Sequence, residues 1–440
     1  YKFPYLEYRL RTGVVVIAAL VSSAAAVLGT LRSVRKAALL PPAQAMRPEP
    51  PAVYRVTLAE RAGLKQALSQ PSRMIIRHIG RRPLKSFLSV TGIAFACAIM
   101  MVGSFQEDSI DHIVKVQFGL SQREDLAVTF TEPASREALY ELQRIEGVEH
   151  GEAFRTVPVR LRSMHRTYRT AIQGIEPKGD LLRLLDSELR PVGLMPAGIV
   201  LTDYLGKMLN VRAGDLLTVE VLEGSRPVIE VPVSGLISQY LGVAAYMDIS
   251  ALNRLMGEGD LISGVYLAAD PFHQQDLFAR IKEMPRVAGT EVREKAINNF
   301  LETMGETVLI FTFINTLLAG IIAFGVVYNS ARIALSERSR ELASLRVLGF
   351  TRAEISYILL GELGVLTAAA VPLGFLIGWG MCLYIAENLK TDLFRIPLIM
   401  EGSTYAFAAA VVLVSSCVSG LIVRHRLDHL DLISVLKAKE

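Results

Sequence analysis

The chain has 440 residues, 51% of them apolar, with a formal net charge of +4 and a mean hydropathy of +0.36. Five stretches of 20 or more residues carry no charge: Thr12 to Leu31, Ser86 to Phe105, Thr307 to Ala331, Leu363 to Ala386 and Gly402 to Val423. At 1.5 Å per residue each reaches about 30 Å, the thickness of a bilayer's hydrocarbon core, which excludes a soluble globular enzyme.

The first run follows Arg9 and Arg11 and leads into a basic stretch, not a small-residue cleavage site, so it is not read as a signal peptide. The chain opens on Tyr1 and reads as the C-terminal part of a longer polypeptide. Arg32 to Lys85 carries 12 Lys and Arg against Glu49 and Glu60, which places that face in the cytoplasm. Alternation then puts Gln106 to Gly305 outside, Arg332 to Glu354 inside, Glu387 to Glu401 outside and the tail from Arg424 inside. Arg9 and Arg11 run against this rule, whereas Trp379, Tyr384, Tyr405 and Phe407 fall at the outer boundary that it predicts. The three cysteines, Cys97, Cys382 and Cys417, lie within apolar runs and read as small apolar side chains.

Leu40 to Arg47 can be laid on Leu430 to Lys437, each following a basic membrane exit. Residues 1–40 then read as the last membrane helix of a first repeat, and 41–72, Pro-rich from Pro41 to Pro51, as a cytoplasmic linker. Residues 73–105 hold an interfacial helix and a membrane helix. Within it, Ile75 and Ile79 share a face, Arg77, Arg81 and Arg82 reach lipid phosphates, and Gly80 and Pro83 break the helix before the span.

Residues 106–305 form an extracytoplasmic domain with its own core. It holds 21 basic and 29 acidic residues, a net of −8, against +12 for the remainder. Leu126 to Phe130 reads as a strand, Ser135 as the cap of a helix to Ile145, and Gly151 to Arg162 as the returning strand. A second β-α-β unit runs through Gly264 to Ala269, Pro271 to Met284 and Val287 to Val292, so the two units suggest a ferredoxin-like split layer. Between them, Asp215 to Val221 and Pro227 to Val233 flank the hairpin signal Glu223-Gly224-Ser225. Asn298 to Met304 runs as helix directly into the third span. His112, His150, His165 and His273 are dispersed and read as surface or packing residues. Arg155, Arg160, Arg162, Arg166 and Arg169 read as a solvated basic strand face.

Residues 306–440 form a three-helix membrane domain whose most informative segment, Ser336 to Ile355, reads SERSRELASLRVLGFTRAEI. Leu342, Leu345 and Leu348 recur at helical spacing, which predicts a short amphipathic helix over 336–349 ended by Gly349. Thr351 with Glu354 has capping-box spacing and Phe350 with Ile355 staple spacing, so a new helix starts at once. Such a helix either lies among lipid headgroups or docks a cytoplasmic partner. Gly374-x-x-x-Gly378 and Ser416-x-x-x-Gly420 offer close helix contacts, and Pro372 predicts a kink. Glu362 is the one residue charged at neutral pH within a span. Its expected role is a structural pairing with Arg346 or Arg352, with Asn315 and Asn329 the nearest polar company.

One span, a large external domain, three spans and the sequence Glu337-Arg-Ser-Arg-Glu341-Leu-Ala-Ser-Leu-Arg346-Val-Leu-Gly349-Phe-Thr-Arg resemble the FtsX-like permeases. These are the membrane subunits of the ABC group that includes the macrolide exporter MacB and the lipoprotein-releasing LolC and LolE. The Gly198-Ile-Val-Leu…Leu205-Gly…Gly214-Asp215…Val233…Gly235 run resembles the MacB-like periplasmic domain. The resemblance implies a multi-span α-helical protein of the bacterial inner membrane with an inserted α+β extracytoplasmic domain, acting by mechanotransmission. A separate ATPase dimer would dock on Glu337, Arg338, Arg340, Glu341, Leu342, Leu345, Arg346, Leu348, Gly349 and Thr351. No GxxxxGK[ST] phosphate loop occurs, so ATP and Mg²⁺ would be used by that partner, and this chain would be non-catalytic, holding no cofactor or metal of its own. A periplasmic adaptor or lipoprotein and membrane lipids are the other partners implied, while nucleic acid is an unnecessary explanation for the basic charge. Two outcomes stay open: export or extraction of a lipid, lipoprotein, peptide or drug, and a regulatory scaffold that activates a cell-envelope hydrolase. An ion-driven transporter would need several buried charges at mid-membrane, and Glu362 alone argues against it. The tandem arrangement departs from both MacB and the Lol permeases and leaves the substrate open.

Overall fold

The computed structural model describes residues 12–39, 70–81, 83–391 and 394–428. Arg9, Arg11, Arg82, the 41–69 linker and the repeat segments Leu40 to Arg47 and Leu430 to Lys437 lie outside the described residues. The chain divides into two units, 1–63 and 64–440. In the first, helix α1 (Thr12–Ala38) carries an apolar stretch from Val15 to Leu31.

In the second unit, α2 (Gln70–Arg81) is followed by α3 (Pro83–Val114), with Pro83 in the first turn, where the missing N–H costs nothing. Among the described residues of this unit, four helical segments are long and apolar enough to cross a membrane: Pro83–Ser121, Arg293–Ser336, Arg352–Asn388 and Gly402–His425. They belong to α3 with its π-helical extension Lys115–Ser121, to α8 (Arg293–Val347), to α9 (Arg352–Asn388) and to α10 (Gly402–Asp428). Helix α3 is the most enclosed: Ile93, Ala94, Cys97, Met100 and Met101 pack against Ala319 and Val327 of α8, Leu363 and Ala370 of α9, and Ala408 and Val412 of α10. The close contacts expected of Gly374 and Gly378 are made with α3. A Cβ on Gly374 would lie 2.6 Å from that of Cys97, and one on Gly378 would lie 2.6 Å from Met101 Sδ. Ser416 meets Thr367 at 3.3 Å, and Gly420 faces Leu360. Tyr384 and Trp379 are exposed on α9, but Tyr405 turns inward onto Phe375, edge to face at 5.1 Å.

Between α3 and α8 lies a domain with one nine-stranded sheet and four short helices. Its strands are β1 (Leu126–Ser135), β2 (Val148–Ser163), β3 (Arg166–Ile175), β4 (Ile199–Thr202), β5 (Leu216–Val221), β6 (Val228–Ile237), β7 (Ala245–Asp248), β8 (Leu261–Ala269) and β9 (Val287–Val292). Its helices are α4 (Glu137–Gln143), α5 (Asp203–Leu209), α6 (Ile249–Met256) and α7 (Gln274–Lys282). The order β9-β1-β8-β2, antiparallel throughout, with α4 and α7 as crossovers, is the ferredoxin-like split layer predicted. Ser135 does not cap α4. It continues β1 beyond a register shift and pairs with Leu261, while Arg136 stands at the helix start.

The insert is more ordered than a hairpin. Strand β2 pairs with both β3 and β5, so β2-β3-β7-β4-β6-β5 closes into a six-stranded barrel. Val157, Val159, Leu161, Ile172, Ile199, Leu201, Leu217 and Val219 fill it. The β5–β6 hairpin stands where Glu223-Gly224-Ser225 predicts it, with Gly224 at φ +60°. The sixteen-residue β2 is shared by layer and barrel, so the two subdomains have a common spine.

Arg155 departs from the solvated face. It is fully buried where the subdomains meet, pairing with Glu223 at 2.8 Å and Glu258 at 3.1 Å and donating to Ser263 Oγ at 2.9 Å. Further along β2, Arg160 and Arg162 do lie outward and both pair with Glu220, and Arg166 donates to the carbonyls that end α5.

Candidate functional site

The candidate site is assembled along α8. Strand β9 ends at Val292 and α8 begins at Arg293, with no intervening loop, and the helix continues for 55 residues to Val347. Arg293 fixes this junction. Its guanidinium donates to Asp125 Oδ1 at 2.8 Å and to the Phe118 carbonyl at 3.2 Å, and its backbone N–H donates to the Asp125 carbonyl. The strand that enters the domain and the helix that leaves it are thereby clamped together. Glu124, beside this clamp, is buried, and loss of solvent pushes its carboxyl up to about 8; Glu291 and Asp125 add to the shift and Arg293 opposes it.

At its other end α8 reaches the turn that leads into α9. Segment 336–347 is not a separate amphipathic helix but the last turns of α8, because no glycine or proline interrupts the chain between Gly325 and Gly349. The backbone of 337–346 is helical; the side chains of Glu337, Arg338, Arg340, Glu341, Leu342, Leu345 and Arg346 lie outside the described residues. Val347 and Leu348 are both 76% exposed, apolar side chains turned away from the bundle. Gly349 adopts φ +97°, the left-handed conformation that ends a helix. The capping box is complete: Thr351 Oγ1 accepts from the Glu354 N–H, and the Glu354 carboxylate accepts from the Thr351 N–H at 2.8 Å. Phe350 packs with Ile355 and Leu335 as a staple. The turn is thus a rigid elbow with an apolar tip.

Glu362 lies on α9 in a polar setting. With His78, Lys85, Ser86, Ser89 and Ser330 it lines a small cavity of about 30 Å³ between α2, α3, α8 and α9, and Ser89 bonds to Ser330 at 3.0 Å. Arg352 is exposed, Asn329 is exposed, and Asn315 lies against Gly103, its amide donating to the Phe311 carbonyl. The polar residues that line this cavity with Glu362 come from α2, α3 and α8, which sequence spacing could not bring together. Helix α2 is bound to α9 by more than this cavity: Ile75 is buried against Gly361, and Ser72 lies 3.3 Å from Tyr357.

The domain histidines stay apart. His150 contacts Glu152, His273 contacts Asp270 and His112 contacts Tyr240, while His165 is exposed. Among the described residues no group of three or more His, Cys, Asp or Glu side chains is gathered for a metal.

A second joint between membrane helices and domain escaped sequence reasoning. The loop between α9 and α10 forms a β-bridge, Leu241 with Phe394, to the loop after β6. Arg395 donates to the Gln239 carbonyl at 2.9 Å and to that of Gly242, and its guanidinium lies 5.0 Å from the Tyr204 ring.

Residues 313–429 match the family model described as FtsX-like permease C-terminal, so the last three membrane helices carry that domain. The extracellular domain of the noncanonic ABC-type transporter YknZ from Gram-positive bacteria is similar at 14% identity over 38% of this chain and 98% of that one, with a TM-score of 0.29. The periplasmic region of MacB from Actinobacillus actinomycetemcomitans is similar at 11% identity over 43% of this chain and 96% of that one, with a TM-score of 0.31. No curated protein matches the sequence.

Proposed function

We propose that this chain is the permease subunit of an ATP-driven complex of the ABC type, in which a separate cytoplasmic ATPase dimer moves the elbow at Val347 to Thr351 and α8 delivers that movement to the domain outside. The observation that carries this reading is the unbroken course of α8 from the end of β9 to the elbow. At 1.5 Å per residue, its length is about 80 Å, which exceeds a 30 Å hydrocarbon core and leaves rigid helix on both sides. A displacement at the elbow therefore reaches the sheet domain without a flexible joint. The match of 313–429 to the permease domain supports the same reading. ATP and Mg²⁺ belong to the partner, and the cargo is moved by the outer domain without crossing the bilayer. Helix α1 serves as the last membrane helix of a preceding permease repeat, with 41–72 as the cytoplasmic linker.

The test uses the full chain purified from membranes of cells that express its neighbouring subunits. In the Val347→Asp/Leu348→Asp variant, recovered ATPase activity is expected to fall to background while the amount of chain in the membrane stays unchanged. Undiminished recovery would remove the elbow as a docking point.

A further inference from the structure

The joint made by Arg395 borders a cleft of about 470 Å³ that none of the preceding roles uses. Its roof is α5 and the loop after β6, and its floor is the last turns of α9 and the loop that follows. Three cations line it, Lys207, Lys390 and Arg395, against two acids, Asp203 and Glu387. Lys390 pairs with Glu387 at 2.7 Å. Burial pushes the Asp203 carboxyl up, with Lys207 and Arg395 opposing, and three cations against two acids leave the lining with a cationic excess. The remaining wall is mixed: Leu383, Ala386, Ile396 and Leu398 from the membrane side and Met208 of α5 are apolar, whereas Ser238, Gln239 and Tyr240 of the loop after β6 are polar.

The height of this cleft decides what can enter it. Its floor residues Leu383 and Ala386 flank Tyr384, which is 70% exposed, and Trp379 is exposed one turn deeper on the same helix. Tyrosine and tryptophan exposed near the end of a membrane helix mark the headgroup layer. A cleft at that level, with cations on both roof and floor and apolar side chains toward the membrane, matches a phosphate diester with the upper part of its acyl chains.

We infer that the cleft between α5 and the end of α9 binds the headgroup of an anionic phospholipid from the outer leaflet. Lys207 and Lys390 hold the phosphate, Arg395 fixes the loop that forms the floor, and Leu383 and Ile396 meet the glycerol and upper chain. The bound lipid then joins the barrel to α9. This inference is independent of the ATP-driven reading, since it concerns binding by the chain alone.

The full chain is reconstituted in phosphatidylcholine vesicles containing a trace of phosphatidylglycerol with a photoreactive group near its headgroup, and cross-linked peptides are mapped by mass spectrometry. Labelling is expected within 203–208 and 383–398, reduced by unlabelled phosphatidylglycerol and unaffected by extra phosphatidylcholine or by inorganic phosphate. Charge reversal in Lys207→Glu/Lys390→Glu should lower it by roughly tenfold, given the contribution of each basic residue at an anionic surface. Lys207→Gln, which leaves the Lys390 pair intact, should lower it by a smaller factor, with hydrogen-exchange protection of the barrel as the check on folding. Equal competition by phosphatidylcholine, competition by inorganic phosphate, or wild-type labelling in a folded Lys207→Gln variant would each overturn the assignment.

Discussion

Asp108, near the outer end of α3, caps a helix that begins almost three hundred residues later: its Oδ2 accepts from the Glu401 N–H at 2.8 Å and from the Thr404 hydroxyl at 2.6 Å, at the start of α10. A carboxylate there satisfies a donor that the helix itself cannot, and its charge complements the helix dipole. Asp108→Ala is expected to destabilise the packing of α10 on α3 by about 1 kcal/mol. Hydrogen exchange of the Gly402 to Tyr405 amides should rise in the variant, while exchange in the sheet domain stays unchanged.

Arg155 binds the two subdomains through one buried guanidinium. Removing it leaves Glu223 and Glu258 without their partner; both carboxylates keep some access to water, so the cost falls below the roughly 3–5 kcal/mol of breaking a fully buried pair but above that of an exposed one. Arg155→Met should therefore lower the thermal midpoint of the outer domain far more than Arg162→Met, which removes an exposed pair to Glu220. Equal midpoints in the two variants would contradict the clamp.

The carboxyl of Glu124 gives the outer domain a pH dependence whose sign is set by burial. Its folded value of about 8 lies above the ordinary 4.5, so below about 4.5 it is protonated whether the domain is folded or not. As pH rises from there, only the unfolded chain releases the proton, and the folded state loses up to about 1.4 kcal/mol per pH unit until the folded value is reached. Protection of the β1 and β8 amides should fall between about pH 5 and pH 8 in the wild type. Glu124→Gln should be flatter over that interval.

The transmission proposed for α8 requires an unbroken helix. Gly305→Pro, in the stretch between sheet domain and membrane, should kink it by removing a backbone donor and pressing the ring on the preceding turn. ATPase activity should still be recovered with this variant, but transport or any other outer response should be lost. Full outer activity would show that α8 is not the transmitting element.

Gly374 lets α9 approach α3 with the Cys97 Cβ only 2.6 Å from where a side chain would begin. Gly374→Val should push the helices apart and reduce the yield of folded chain extracted in mild detergent. Gly380→Val, where nothing lies within 4 Å, is the matched control and should behave as wild type.

The elements that sequence predicts well are those set by local patterning. The strand at Val287 to Val292, the hairpin around Gly224, the capping box of Thr351 and Glu354, and the four long apolar helices follow from turn chemistry and run length. The barrel does not, because β4 and β7 are four-residue strands buried at every position, without the alternation that marks a half-exposed strand, and its closure rests on parallel pairings with β6 and β3. Arg155 eludes reading for a related reason: β2 is covered on both faces from Gly151 to Arg155 and alternates only beyond that point. For the cavity beside Glu362 and for the Arg395 joint, the lining comes from distant helices and loops, and sequence spacing carries no record of which surfaces those present. The site side chains over 337–346 are legible only as sequence.

Leu126 at the start of β1 pairs with Val292 at the end of β9. The outer domain thus receives the chain and returns it at neighbouring points on one edge, like a cassette on a two-pin plug. Exchange of such a cassette leaves the membrane helices in register, so the sheet domain can vary without redesign of the helices that carry it.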